Sequence, residues 1–190
     1  GPHHFPWSGK PGADGTIWIP NYGNGNRIAK LDPKTGAVQE FVVPLPTSAG
    51  MHSVVPAPDG ALYFSEQYPN NVGKFDPRTL AFKEYPSPGR MRHTILADNN
   101  GMVWATGQPL TRFDPRREEF VAIPDAATSY GVDLDKAGNI WYTEFSATGK
   151  VGKVDPKTLQ VTKYTMPTPN ARPRRLEADG PDGAVWVLEF

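Results

Sequence analysis

Gly15-Thr16-Ile17-Trp18 is the first of five copies of a glycine-to-aromatic unit that decides the fold of this chain. In every copy a glycine is followed three positions later by Trp or Tyr. The later copies are Gly60-Ala61-Leu62-Tyr63, Gly101-Met102-Val103-Trp104, Gly138-Asn139-Ile140-Trp141 and Gly183-Ala184-Val185-Trp186. Successive glycines lie 37 to 45 residues apart. Self-similarity at such a period is typical of a repeat architecture, so one structural unit recurs along the chain.

The second copy shows what the repeating unit contains. Four short runs with strand-like composition occupy residues 53–55, 61–65, 71–75 and 81–85. Asp59-Gly60 separates the first two runs, and Gly accepts the positive φ that a tight hairpin requires. Asp76-Pro77 separates the last two and suits a type I turn, with Asp at its first position and Pro at its second. The unit therefore predicts four antiparallel strands joined by short turns.

The same punctuation recurs along the chain. Asp-Pro turns stand at Asp32-Pro33, Asp76-Pro77, Asp114-Pro115 and Asp155-Pro156, and a proline closes the strand that follows each of them. No segment shows sustained helical periodicity. Four antiparallel strands in about 42 residues indicate a blade of a β-propeller, with the repeated aromatic packed between blades.

We therefore expect one all-β domain over residues 1–190, with four-stranded blades at about 3–46, 50–88, 91–124 and 129–168 and a partial blade at 172–190. About four and a half blades do not close a ring simply. The chain is thus expected to be a fragment of a larger propeller. A partial ring completed by another chain is the alternative, because an open sheet edge exposes unpaired backbone groups.

The composition of the chain limits the classes of partner that it is expected to bind. Lys and Arg together number 20, as do Asp and Glu, so the formal net charge is zero. A neutral balance argues against nucleic acid or an anionic membrane as the main partner. The chain has no cysteine, which excludes disulfides and zinc–thiolate sites, and no apolar run approaches the length of a membrane span. A periplasmic or secreted location and a cytoplasmic one are both compatible with this composition.

Three segments resemble the streptogramin B lyase (virginiamycin B lyase) family. They are Trp141-Tyr142-Thr143-Glu144-Phe145, Gly149-Lys150-Val151-Gly152-Lys153-Val154 and Pro167-Thr168-Pro169-Asn170-Ala171-Arg172-Pro173. The resemblance covers nearly the whole chain and implies a seven-bladed ring. It also implies an enzyme that opens the ester of a cyclic depsipeptide by elimination with the help of Mg²⁺. In that family a histidine acts as the base, and two glutamates, two residues before it and 14 residues after it, hold the metal.

One pair in this chain matches part of that pattern. His52 and Glu66 are 14 residues apart, centred on the Asp59-Gly60 turn, so we expect them to lie close together. The resemblance implies that His52 is the catalytic base and that Glu66 is a ligand of Mg²⁺ or orients the imidazole. Gly50 stands where the family needs the other glutamate, so the set is incomplete. A hydrogen-bonded pair that only supports the strand ends is the structural alternative.

The same spacing selects positions in the other blades. It aligns His93 with Gly107, Tyr130 with Glu144, and Glu189 with Arg174 or Arg175. We expect these side chains to line the mouth of the channel and contact a small-molecule or peptide ligand: His93, Tyr130, Glu144, Arg174 and Glu189. Residues near these five are further candidates for ligand contact. His3 or His4 in the first blade is another, although Asn21 occupies the aligned position where the family has a glutamate. Each could instead have only a structural role.

Aligning the repeats also isolates a column of residues near the start of each blade. It contains Trp7, His52, His93, Tyr130 and Arg175, which differ in type while the glycine-to-aromatic frame hardly changes. This column is where function is expected. Three functions stay open: a metal-assisted carbon–oxygen lyase, a non-catalytic propeller that binds a peptide, glycan or protein, and a calcium-dependent lactone hydrolase.

Overall fold

The structure, a computed structural model, describes residues 6–22, 26–44 and 50–190. Within these ranges the chain is all-β, and its one helical element is a short 3-10 turn at Pro124–Ala126. The chain divides into two compact units, Gly1–Ser87 and Pro88–Phe190. His3 and His4 lie outside the described residues. No helix in the described part is long and apolar enough to cross a membrane.

Unit 1 contains two four-stranded antiparallel sheets in which each strand pairs with the next along the chain. The strands of the first are β1 (Lys10–Pro11), β2 (Ile17–Pro20), β3 (Arg27–Leu31) and β4 (Val38–Val42), and those of the second are β5 (Met51–Pro56), β6 (Leu62–Glu66), β7 (Asn71–Asp76) and β8 (Ala81–Pro86). A buried core joins the two sheets, with Trp18 and Ile28 from the first packed with Val54 and Phe64 from the second.

Unit 2 repeats this arrangement and adds a two-stranded sheet. Its strands are β9 (Arg90–Ala97), β10 (Val103–Gln108), β11 (Leu110–Asp114) and β12 (Glu119–Ile123), then β13 (Val132–Leu134), β14 (Ile140–Thr143), β15 (Lys150–Val154) and β16 (Val161–Thr165), and finally β17 (Pro173–Glu177) and β18 (Trp186–Glu189). Trp104 and Leu110 pack with Ile140 and Tyr142 in the core between its two larger sheets. The predicted all-β fold of four-stranded antiparallel sheets is confirmed.

The predicted turn chemistry is present in the structure. All five repeat glycines have positive φ, between 75° and 88°, which explains why glycine recurs there. In each Asp-Pro turn the aspartate accepts the backbone N–H two residues further on, at 2.8–2.9 Å. These bonds stabilise each turn through contacts between residues that are close in sequence.

The repeated aromatic residues are tied to their own hairpins. The indole Nε1 of Trp104 donates to Asp98 at 2.9 Å, and that of Trp141 donates to Asp135 at 2.8 Å. Trp18 and Trp104 pack between neighbouring sheets, as predicted, with 5% and 0% of their surface exposed. The prediction is wrong for Trp186, which is 58% exposed, because its strand belongs to a sheet of only two strands.

Candidate functional site

The first strands of three sheets begin irregularly. The pairing register shifts between Met51 and Val54 on β5 and between Pro173 and Arg175 on β17. The pairing of β9 with β10 shifts between Ala105 and Gly107 of β10. His52, His93 and Arg174 fall within these irregular stretches. An irregularity of this kind bends the strand and redirects a side chain, and it recurs beside functional sites.

A side-chain hydroxyl compensates for the interrupted ladder. Ser65 accepts the backbone N–H of Ser53 at 3.1 Å, and Thr106 accepts that of Thr94 at 2.8 Å. Thr143 accepts the N–H of Gly131 at 2.9 Å in the same way. Each of these hydroxyl groups belongs to the residue two positions after a repeated aromatic. The repeated sequence unit therefore also supports the irregular starts of the first strands.

His52 lies among aromatic rings in unit 1. Its imidazole centroid is 5.1 Å from the Trp7 ring and 5.5 Å from the Tyr22 ring, with Tyr22 edge-on. Only 4% of His52 is exposed, whereas Trp7 is 50% exposed. Trp7 and His52, two members of the predicted column, are thus in contact, and Trp7 presents a ring to solvent beside the buried imidazole.

Glu66 reaches across β7 rather than toward β5. Asn71 Nδ2 donates to Glu66 Oε2 at 3.3 Å and to Glu84 Oε1 on β8 at 3.0 Å. Gly73 makes room for this, since a Cβ there would lie 2.5 Å from Glu66 Oε1. Met51, not His52, is directly opposite Glu66, because the irregularity in β5 shifts the register that the 14-residue spacing assumes.

The environment of Glu66 disfavours the ionised form of its carboxyl group. Burial, followed by the hydrogen bond and charge of neighbouring Glu84, raises the pKa of Glu66 to about 8. Glu66 is fully buried, and burial and a neighbouring carboxyl group both disfavour the charged form of a carboxyl group.

Only part of a magnesium site is present among the described residues around Glu66. Mg²⁺ takes oxygen ligands and keeps several waters; Glu66 offers one buried carboxyl oxygen, Oε1, that has no hydrogen-bond partner among the described residues, and Gly50 provides no side-chain ligand. Across residues 6–22, 26–44 and 50–190, no group of three or more His, Asp or Glu side chains could hold a metal ion. The metal role of Glu66 and the requirement for Mg²⁺ stay predictions from family resemblance.

Tyr130 is the centre of a second site, in unit 2. Its ring centroid is 4.0 Å from that of His93 and 5.0 Å from that of Phe145. The guanidinium of Arg175 lies 5.4 Å from the Tyr130 ring, and Arg174 Nη2 donates to the Tyr130 hydroxyl at 3.3 Å. His93, Tyr130 and Arg175, three further members of the column, therefore meet here.

Threonine hydroxyls connect the first strands around this site. Thr94 Oγ1 donates to the Tyr130 carbonyl at 2.9 Å and accepts from Arg175 Nη1 at 2.8 Å. Thr143 Oγ1 donates to the Arg174 carbonyl at 3.0 Å. These bonds fix the positions from which the imidazole, the phenol and the guanidinium groups project.

The two remaining predicted ligand contacts lie elsewhere. Glu144 forms an ion pair with Lys163 of β16 at 2.7 Å, so its carboxylate is directed across the sheet and not to Tyr130. Glu189 is exposed on β18, with its backbone opposite Pro173. The ligand-binding roles of both glutamates stay untested predictions.

Sequence reasoning missed Glu84 and Phe145. Comparing outer strands would have found Glu84, because it occupies the position that Lys163 occupies in the later repeat: each lies opposite a glycine, Gly73 or Gly152. Phe145 directly follows the Trp-Tyr-Thr-Glu segment, but no spacing rule connects it with Tyr130 or the arginines. Only the folded chain brings those groups together.

The repeated four-stranded antiparallel sheets define the class of this protein as a β-propeller. It belongs to the Virginiamycin B lyase family, whose profile matches residues 1–189.

Solved structures agree with this membership. Virginiamycin B lyase from Staphylococcus aureus is 21% identical with a TM-score of 0.81, the match covering 95% of this chain and 62% of that one. A catalytically inactive histidine-to-alanine variant of that enzyme with Quinupristin has a TM-score of 0.85 at 21% identity, over 99% and 64% of the chains. A streptogramin B lyase structure is 28% identical with a TM-score of 0.80, over 96% and 61%. The chain thus spans just over three fifths of the solved lyases it matches.

The fold by itself does not select a reaction. Hydrazine synthase from Kuenenia stuttgartiensis shares it with a TM-score of 0.81 at 19% identity, over 97% of this chain and 55% of that one. No curated protein sequence matches the chain significantly.

Proposed function

We propose that this chain is part of a lyase that binds a cyclic depsipeptide or a related ester at the starts of its first strands and opens it by elimination. Membership of the Virginiamycin B lyase family supports the reaction class. The observation that carries the proposal is the contact between Trp7 and His52 in unit 1. Rings beside an imidazole suit a peptide ligand with apolar side chains.

His52 is the proposed base. Its imidazole would take a proton from the carbon next to the one that bears the ester oxygen. The electrons of that C–H bond form a C=C double bond, the C–O bond breaks, and the ester carboxylate leaves with the C–O electron pair. A neutral imidazole can accept a proton near neutral pH. Contact with Trp7 and Tyr22 orients the imidazole ring.

Turnover of quinupristin by the protein tests the role of His52. We expect His52→Ala to lower kcat by at least about 100-fold, because about 100-fold is the lower end of what a general base contributes to a reaction rate. His93→Ala is the matched control: it removes an imidazole from the other unit and is expected to leave kcat largely unchanged. Far-ultraviolet circular dichroism checks that both variants fold. A folded His52→Ala variant with unchanged kcat would rule out the proposed base.

A non-catalytic binding propeller is the second candidate. The position of Glu66 favours it, because this side chain accepts a hydrogen bond from Asn71 on β7 and Met51, not His52, is opposite it on β5. A binding module would hold quinupristin in an equilibrium assay without producing the linear peptide. Product analysis by mass spectrometry after long incubation separates the two functions.

A further inference from the structure

Three arginines of unit 2 lack a carboxylate partner among the described residues. Arg172, Arg174 and Arg175 stand within four positions of one another at the start of β17. In the part of the chain that the structure describes, no carboxylate lies within ion-pair distance of any of them. Other arginines do have carboxylate partners, among them Arg117, which lies 3.5 Å from Glu119.

The three guanidinium groups rest instead on aromatic rings. Arg174 lies 4.9 Å from the Phe190 ring centroid, 5.6 Å from that of Tyr130 and 5.7 Å from that of Phe145. Arg172 lies 4.9 Å from the Phe145 ring. A guanidinium that contacts a ring with its flat face still has N–H donors along its edge, and those donors match a carboxylate in a bidentate geometry.

Their hydrogen-bond partners inside the protein are neutral. Arg175 donates to the Thr94 hydroxyl at 2.8 Å, and Arg174 donates to the Tyr130 hydroxyl at 3.3 Å. Both side chains are half-buried. Burial and the charge of Arg174 lower the pKa of Arg175, so bringing these cations together is electrostatically unfavourable. An anion placed between them would offset that cost.

We propose that Arg172, Arg174 and Arg175, with the rings of Tyr130 and Phe145, form a binding site for a carboxylate attached to an aromatic or apolar group. The guanidinium edges would bind the carboxylate, and the rings would contact the group next to it. This inference rests on the proposed function and deepens it. An elimination that opens an ester ring releases a carboxylate, which is the class of anion that this site of unit 2 would bind.

Equilibrium binding of two matched dipeptides tests the site without any turnover. The probes are N-acetyl-phenylalanyl-phenylalanine and its C-terminal amide, titrated into the protein by calorimetry or ligand-observed NMR. We expect the acid to bind at least about tenfold more tightly than the amide, as a charge-assisted bond is worth 1.4 kcal/mol or more. Arg174→Gln is expected to reduce that ratio to near one.

Arg117→Gln is the matched control, since it removes an arginine of the same unit that is 72% exposed and already paired, and it should keep the ratio. Equal binding of acid and amide, or an unchanged ratio in Arg174→Gln, would overturn the site. Inorganic phosphate that binds more tightly than the acid would overturn the assignment to a carboxylate. A failure of the lyase proposal can be distinguished from a failure of the carboxylate site. If the protein is not a lyase, the tighter binding of the acid than of the amide is still expected. If the acid is not preferred, turnover that depends on His52 is still expected.

Discussion

Two pairs of side chains at equivalent positions behave differently because of one residue. Glu144 on the later sheet contacts Lys163 at 2.7 Å, and the pair is an ordinary ion pair. On the earlier sheet the partner position holds Glu84, so Glu66 meets a second carboxyl group and the two are bridged by Asn71. Burial and the nearby carboxyl group of Glu84 both disfavour the charged form, so the pKa of Glu66 is raised.

The pKa of Glu66 makes stability depend on pH. Because this pKa is about 8 in the folded protein and 4.5 in the unfolded chain, the folded state binds more protons between these values. The free energy of unfolding should therefore fall as pH rises from 4.5 to 8 and level off above 8, by at most about 1.4 kcal/mol per pH unit from this group. Urea denaturation at pH 5, 6, 7 and 8 measures the slope.

Variants at these positions separate the Glu66 contribution from other groups. Glu66→Gln should flatten the slope and make the protein more stable than the parent at pH 8, because the amide needs no proton to bond Glu84. Glu144→Gln is the control, since it breaks the pair with Lys163 and should lower stability at pH 7 without changing the slope. A parent slope that persists in Glu66→Gln would assign the pH dependence to another group.

At the scale of the element, four of the five repeats have an aspartate that accepts a hydrogen bond from the repeated aromatic residue of its own hairpin. Asp98 accepts the backbone N–H of Asn100 at 2.8 Å and of Met102 at 3.0 Å, besides the indole of Trp104. Asp98 is 3% exposed and Trp104 is fully buried. One side chain thus satisfies three donors within seven residues, which connects the turn to the core.

Replacing Asp98 should therefore destabilise the hairpin strongly. Asp98→Ala leaves the buried indole N–H and two backbone donors without their acceptor, and we expect a loss of about 3 kcal/mol in the free energy of unfolding. Asp182→Ala is the matched control: Trp186 is 58% exposed and its bond to Asp182 is 3.4 Å, so the loss should stay below about 1 kcal/mol. Chemical denaturation of both variants measures the difference. Equal losses would show that the buried bond adds nothing.

At the scale of the whole molecule, positive and negative charges balance while one segment is locally basic. The chain carries 20 basic and 20 acidic residues. The unpaired arginines 172, 174 and 175 form its local excess. Nucleic-acid affinity depends on many phosphate contacts, because each one releases condensed counterions. Three arginines that already contact aromatic rings are too few to give such affinity.

The protein is therefore not expected to bind double-stranded DNA. A fluorescent 20-base-pair duplex should show a Kd weaker than about 100 µM at 150 mM salt, the weak end of non-specific binding. Anisotropy titration at 50 and 150 mM salt measures it. A micromolar Kd with a steep salt dependence that Arg174→Gln relieves would contradict this and assign the arginines to phosphate.

The sequence by itself determined the repeated frame of this protein. Its glycines, Asp-Pro turns and alternating strands predicted the four-stranded sheets, because each such signal acts within a few residues. The column that contains His52, His93 and Tyr130 could be predicted too, since it follows from the same spacing. The direction of Glu66 could not, because an irregularity in β5 shifts the register by one residue and no local signal marks it.

Only the tertiary structure decided which groups meet. Glu66 and Glu84 lie on strands separated by β7, and Arg174 meets Phe145 only after two sheets of unit 2 pack together. Contacts of this kind depend on strand register and on sheet packing, which the spacing of residues along the chain does not specify. Turns and strands are local properties of the sequence, whereas the raised pKa of Glu66 and the arginine–aromatic cluster are properties of the packed chain.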